Sequence, residues 1–69
     1  MMTERLYEVE WWSRGVTHTE VWYATSPRHA RQQQWNAVKH CFPSNWTFAD
    51  WLKGARVSTR LLRRKGAEG

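Results

Sequence analysis

Leu6-Tyr7-Glu8-Val9-Glu10-Trp11-Trp12-Ser13-Arg14-Gly15-Val16-Thr17-His18-Thr19-Glu20-Val21-Trp22-Tyr23-Ala24 sets the architecture of the chain. Residues 6–12 alternate with a period of two. Tyr7, Val9 and Trp11 share one face and Glu8, Glu10 and Trp12 the other, the pattern of a half-buried strand. Residues 13–15 read as a turn, with Gly15 suited to a left-handed position. Residues 17–24 read as a second strand, with Thr19, Val21 and Tyr23 on one face and His18, Glu20 and Trp22 on the other. A three-residue loop over 13–15 sets Trp11 opposite Thr17, Val9 opposite Thr19 and Tyr7 opposite Val21. The apolar faces then coincide, which a two-residue loop does not achieve.

Downstream of this hairpin, Ser26 can cap a helix and Pro27 suits its first position. The spacing predicts a helix over residues 27–41. Its core stripe is Ala30, Gln34, Ala37, Val38 and Cys41, with Trp35 on the flank and Arg28, Gln32, Asn36 and Lys39 on the wet side. Pro43 ends it. Thr47 and Asp50 form a capping-box pattern for a short second helix that presents Phe48, Trp51 and Leu52 and stops at Gly54. Residues 56–63 return to a strand pattern with Val57, Thr59 and Leu61 inward. The expected fold is a two-layer α+β domain in the order β-β-α-α-β. A main helix and a short second helix accompany a three-stranded antiparallel sheet. The last strand is expected beside the first, with pairing to the second left open. Residues 1–64 make one domain and residues 65–69 a flexible basic tail.

A chain of 69 residues buries only about 60% of its unfolded surface and needs an additional source of stability. Cys41 is the only cysteine, so no internal disulfide is available, and a reducing compartment fits. Six tryptophans supply bulk instead, and a homodimer interface is open as a further aid. No run approaches the roughly 20 apolar residues of a membrane span, and residues 1–5 hold no apolar signal core. The expected location is the cytoplasm, with no membrane partner.

The formal net charge of +5 is unevenly spread. Residues 1–24 hold Arg5 and Arg14 against Glu4, Glu8, Glu10 and Glu20, a balance of −2. Residues 25–69 hold nine Lys and Arg against Asp50 and Glu68, a balance of +7. A basic surface attracts nucleic acid or acidic protein patches.

Chemistry has few candidates. His29 and His40 fall on nearly the same helix face, but eleven residues rise ~16 Å and zinc–nitrogen bonds are ~2 Å. They cannot share an ion, and no metal or cofactor is expected. Cys41 would need a base in reach. His40 points elsewhere and His18 lies across the fold, so Cys41 reads as a core residue. Gly15, Gly54, Gly66 and Gly69 are too scattered for a phosphate loop. The expected protein is not an enzyme.

Binding has more. Arg56, Arg60 and Arg64 share one face of the last strand, and Trp12 and Trp22 are expected on that same open sheet face. Cations among flat aromatics suit single-stranded nucleic acid, and Trp with Arg equally suits a protein hot spot. Arg28 and Arg31, with His29, start the long helix, an anion-binding arrangement. Trp11, Trp35 and Trp51 are expected in the core, whereas Trp46 could cap the core or a partner pocket.

The runs Val21-Trp22-Tyr23-Ala24-Thr25-Ser26-Pro27-Arg28-His29-Ala30-Arg31, Trp46-Thr47-Phe48-Ala49-Asp50-Trp51-Leu52 and Arg56-Val57-Ser58-Thr59-Arg60 together resemble small accessory proteins of phages and prophages. The resemblance implies a strand, a Ser-led helix, an aromatic short helix and a basic final strand. It also implies a mobile-element protein that binds stoichiometrically, anti-CRISPR-like in size and style. The leading expectation is a binding protein that occludes a host protein or nucleoprotein complex. The alternatives are a regulatory protein that contacts DNA or RNA directly, and a virion or assembly component.

Overall fold

The computed structural model describes residues 3–64, with side chains described as far as Leu62. Residues 65–69, expected as a tail, lie outside the described residues. Strands β1 (Arg5–Ser13), β2 (Val16–Ala24) and β3 (Ser58–Arg64) form one antiparallel sheet in the order β2-β1-β3. Helices α1 (Pro27–Val38) and α2 (Phe48–Gly54) lie between β2 and β3 in sequence. The order is the expected β-β-α-α-β, and β3 takes the place beside β1. Among the described residues no helix is long and apolar enough to cross a membrane.

The hairpin departs from the expected register. Its loop has two residues, Arg14 (φ 53°) and Gly15 (φ 80°), both left-handed. Two successive positive φ values mark the turn type whose twist suits a two-residue hairpin. Trp11 consequently faces His18, Val9 faces Glu20 and Tyr7 faces Trp22. A slip of one residue exchanges the two faces of a strand. His18, Glu20 and Trp22 therefore share the helix side with Tyr7, Val9 and Trp11, although His18 and Glu20 at the sheet edge stay exposed. Thr17, Thr19, Val21 and Tyr23 turn to the uncovered side.

Both helix starts follow the sequence. The Ser26 Oγ accepts from the His29 N–H at 3.1 Å, and Pro27 opens α1. Thr47 Oγ1 accepts from Asp50 N at 3.2 Å while Asp50 Oδ2 accepts from Thr47 N at 2.9 Å, completing the capping box of α2. The end of α1 is different. After Val38 the chain tightens into a 3₁₀ turn over Lys39–Cys41. A 3₁₀ turn winds three residues per turn instead of 3.6, so Cys41 rotates off the core stripe and is exposed. Ala37 is exposed as well. The buried stripe is Ala30, Gln34 and Trp35, with Val38 partly buried, so Trp35 belongs to the core rather than its flank.

The core is aromatic. Trp51 has no exposed surface, and Tyr7, Val9, Trp11 and Trp35 are buried around it. Its ring centroid lies 5.6 Å from Trp35, 6.3 Å from Phe48 and 6.5 Å from Trp11. Phe42 extends the cluster from Trp35, at 5.9 Å, to Trp46, at 5.4 Å. Trp46 in turn lies across Gly54, where an added Cβ would meet Trp46 Cη2 at 2.6 Å. Gly54 is the last residue of α2 and makes this close approach feasible.

Candidate functional site

The face-exchange in β2 shapes the surface opposite the helices. β1 contributes Leu6, Glu8, Glu10 and Trp12 to this open face, β2 contributes Thr17, Thr19, Val21 and Tyr23, and β3 contributes Ser58 and Arg60. Trp12 is 40% exposed, Val21 47% and Tyr23 48%. Leu62 lies where the β1–β3 register breaks between Leu6 and Tyr7 and is also exposed. The Arg56 guanidinium sits 5.5 Å from the centre of the Trp12 ring. Arg60 Nη2 donates to Glu8 Oε1 at 3.0 Å in an exposed ion pair. Such a pair adds little stability, but it cancels charge on the face.

The expected platform of Trp12, Trp22 and three arginines is thus only partly assembled. Arg56, in a left-handed turn ahead of β3 rather than on the strand, meets Trp12 on the open side, and Arg60 stands on the same side beside Glu8. Trp22 does not: it is on the covered side, half-buried, and its Nε1 donates to Gln34 Oε1 at 2.7 Å. The two-residue turn is the cause, since it reverses the parity of every β2 side chain relative to β1. Arg64 ends β3 opposite Arg5, and its side chain lies outside the described residues.

The basic start of α1 does not assemble into an anion cradle. Arg28 lies over the Phe48 ring at 5.5 Å, whereas Arg31 Nη1 donates to Thr59 Oγ1 at 3.1 Å. The two guanidinium groups diverge toward α2 and β3. His29 Nδ1 accepts from Thr25 N at 3.1 Å. Arg31 is held on the helix side of the sheet, and Arg56 and Arg60 stand on the other, so the basic groups of α1 and β3 are separate patches. Trp46 is half-buried and stacked on Phe42, 19° from parallel, which makes it a lid on the core.

A concavity lies apart from the open face. A groove of about 580 Å³ between the hairpin turn and the 3₁₀ turn is lined by Trp11, His18, Val38, His40, Cys41 and Phe42, among others. His18 stacks on Trp11 at 5.3 Å. The structure thus brings His18 to the same groove as Cys41, which the sequence reading set across the fold. Only the register of the hairpin could have revealed this. Among the described residues no hydrogen bond links the Cys41 thiol to either imidazole, and no cluster of three His, Cys, Asp or Glu could hold a metal ion. Because Cys41 is exposed, it reacts with a thiol reagent in the folded protein at a rate within about tenfold of the urea-unfolded chain. Protection far beyond that would return Cys41 to the core.

Compared with known proteins, the chain matches no family model, no curated protein and no solved structure at significance.

Proposed function

We propose that the chain is a non-enzymatic docking protein whose uncovered sheet face seats a protein partner. The observation that carries this reading is the outward turn of Trp12, Val21 and Tyr23 on one face with no helix over it among the described residues. A flat face with exposed aromatic and aliphatic residues and an adjacent Arg has the composition of a protein-binding hot spot. Its charges favour a protein over a phosphate backbone. Arg56 and Arg60 share the face with Glu8 and Glu10, so the surface is close to neutral, whereas nucleic-acid binding rests on unopposed cations. The setting that fits the sequence is the cytoplasm of a host cell. There the face would cover a protein component of a nucleoprotein assembly and block it without turnover.

The test is capture of such an assembly on immobilised protein, with and without nuclease, by the native chain and by Trp12→Ala. Trp12 is an exposed anchor that the core does not require. Its loss should weaken capture by roughly 30-fold, about 2 kcal/mol, while the urea midpoint stays near that of the native chain. Capture that survives nuclease and is lost with Trp12→Ala supports the proposal. Binding to naked DNA or RNA with a steep salt dependence, or capture indifferent to Trp12, overturns it.

A further inference from the structure

The two edges of the sheet are built differently. β3 carries Arg60, and its pairing with β1 is broken by a register shift. Charged side chains and bulges protect an edge from pairing with other strands. β2 carries a single acidic side chain, Glu20, and no bulge. Its nine residues, Val16–Ala24, contain no Lys, Arg, Pro or Gly, and they run in unbroken register along β1. They are rich in Val, Thr, Trp and Tyr, the residues strands favour. An edge of this kind is a template for another strand.

The hairpin shows which groups are on offer. Ser13 and Val16 flank the two-residue turn, and in such a hairpin the flanking pair exchanges hydrogen bonds, after which bonded and non-bonded pairs alternate. The N–H and C=O groups of Thr17, Thr19 and Val21 therefore point away from β1. Tyr23 belongs to the same set, and its carbonyl accepts from Gln33 Nε2 at 2.9 Å. The helix thus closes the edge at one end and the turn closes it at the other. The open stretch is residues 17–21, and Thr19 is its midpoint.

We propose that β2 pairs antiparallel with β2 of a second copy of this chain, about a two-fold axis at Thr19. This register sets Thr17 opposite Val21 of the second copy. It also sets His18 opposite Glu20 of the second copy, twice by symmetry, as directly facing non-hydrogen-bonded neighbours whose side chains approach closely. Glu20 Oε1 accepts from Gln34 Nε2 at 2.8 Å, and Oε2 is left to meet the imidazole. Sliding by one pair, to an axis at Glu20, would set two carboxylates face to face, which is destabilising. Charge and hydrogen-bond inventory select the same register. The product is a continuous six-stranded sheet whose two open faces lie on one side, an isologous dimer.

The test uses the intact chain in sedimentation equilibrium, with two kinds of variant. The native protein should show twice the chain mass at about 100 μM, in the weak range expected of a short strand pairing. Thr19→Pro removes an outward N–H, which an edge strand tolerates, and should weaken association by about tenfold or more while the aromatic circular dichroism is retained. In a Cys41→Ser background, Thr19→Cys should oxidise to a disulfide-linked dimer, because the residue faces its own copy about 5.5 Å away. Thr17→Cys should not, because it faces Val21. This cysteine pair decides the matter if Thr19→Pro fails to fold. A monomer at all concentrations, or equal cross-linking at 17 and 19, overturns the proposal and leaves the edge to a strand from a different protein.

Discussion

Trp51→Ala shifts the urea midpoint further down than any other single truncation in the core. Trp51 is fully buried and touches Trp11, Trp35 and Phe48, so it joins β1, α1 and α2 through one ring. Truncating such a residue costs about 3–5 kcal/mol. A domain of this length has a total stability of roughly 3–10 kcal/mol, so the loss takes at least about a third of it. Urea titration followed by far-ultraviolet circular dichroism measures it, and a midpoint close to the native value would refute the central place given to this ring. Trp51→Phe is the informative companion. The Trp51 Nε1 is buried without an acceptor among the described residues, and an unpaired buried donor costs about 1–3 kcal/mol. Phenylalanine removes that donor along with some packing, so it should cost less than half of the alanine change.

Gln34→Leu destabilises by about 2–4 kcal/mol although leucine fits the volume. Gln34 has no exposed surface. Its Oε1 accepts from Trp22 Nε1 at 2.7 Å and its Nε2 donates to Glu20 Oε1 at 2.8 Å. Leucine deprives both groups of their partner, at about 1–3 kcal/mol each where water is excluded, with relief where Trp22 and Glu20 reach solvent. In a Trp22→Phe background the indole donor is already absent, so the same change should cost about 1 kcal/mol less, the signature of direct coupling in a double-mutant cycle. Equal costs in both backgrounds would mean that the bridge contributes nothing.

The buried glutamine also explains what the sequence could and could not reveal. Period-two alternation in residues 6–12, the Ser26-Pro27 start and the Thr47–Asp50 capping box are local signals, and each element formed where they stand. The register of β2 is not local. A two-residue turn of this type usually announces itself with Asn or Asp before Gly. Here Arg14 takes the left-handed position, and nothing in its chemistry marks that. Matching apolar to apolar then favours the wrong loop length, because the true register turns His18, Glu20 and Trp22 to the helix side, where Trp22 is half-buried while His18 and Glu20 stay exposed. It works only because Gln34 on another element serves two of them and Trp11 stacks on the third. The candidate site inherits the same difficulty. Alternation along β1 and the start of β3 puts Trp12 and Arg60 on one side, whereas Arg56 precedes β3 in a left-handed turn and reaches Trp12 from there, and the side taken by Trp22 depends on the hairpin. The exposure of Cys41 was hidden by the change from α to 3₁₀ winding after Val38, a difference in pitch that residue spacing does not encode.

Trp12 alone of the six indoles is exposed, the others being buried or half-buried. Collisional quenchers such as acrylamide will therefore reach this fluorophore first. The contacts from Trp11 through Trp51 and Trp35 to Trp46 keep four of the remaining emitters within a shared optical cluster. The protein thus carries its own reporter: anything seated over the open face shields one emitter and leaves the cluster unchanged, whereas unfolding alters all of them together.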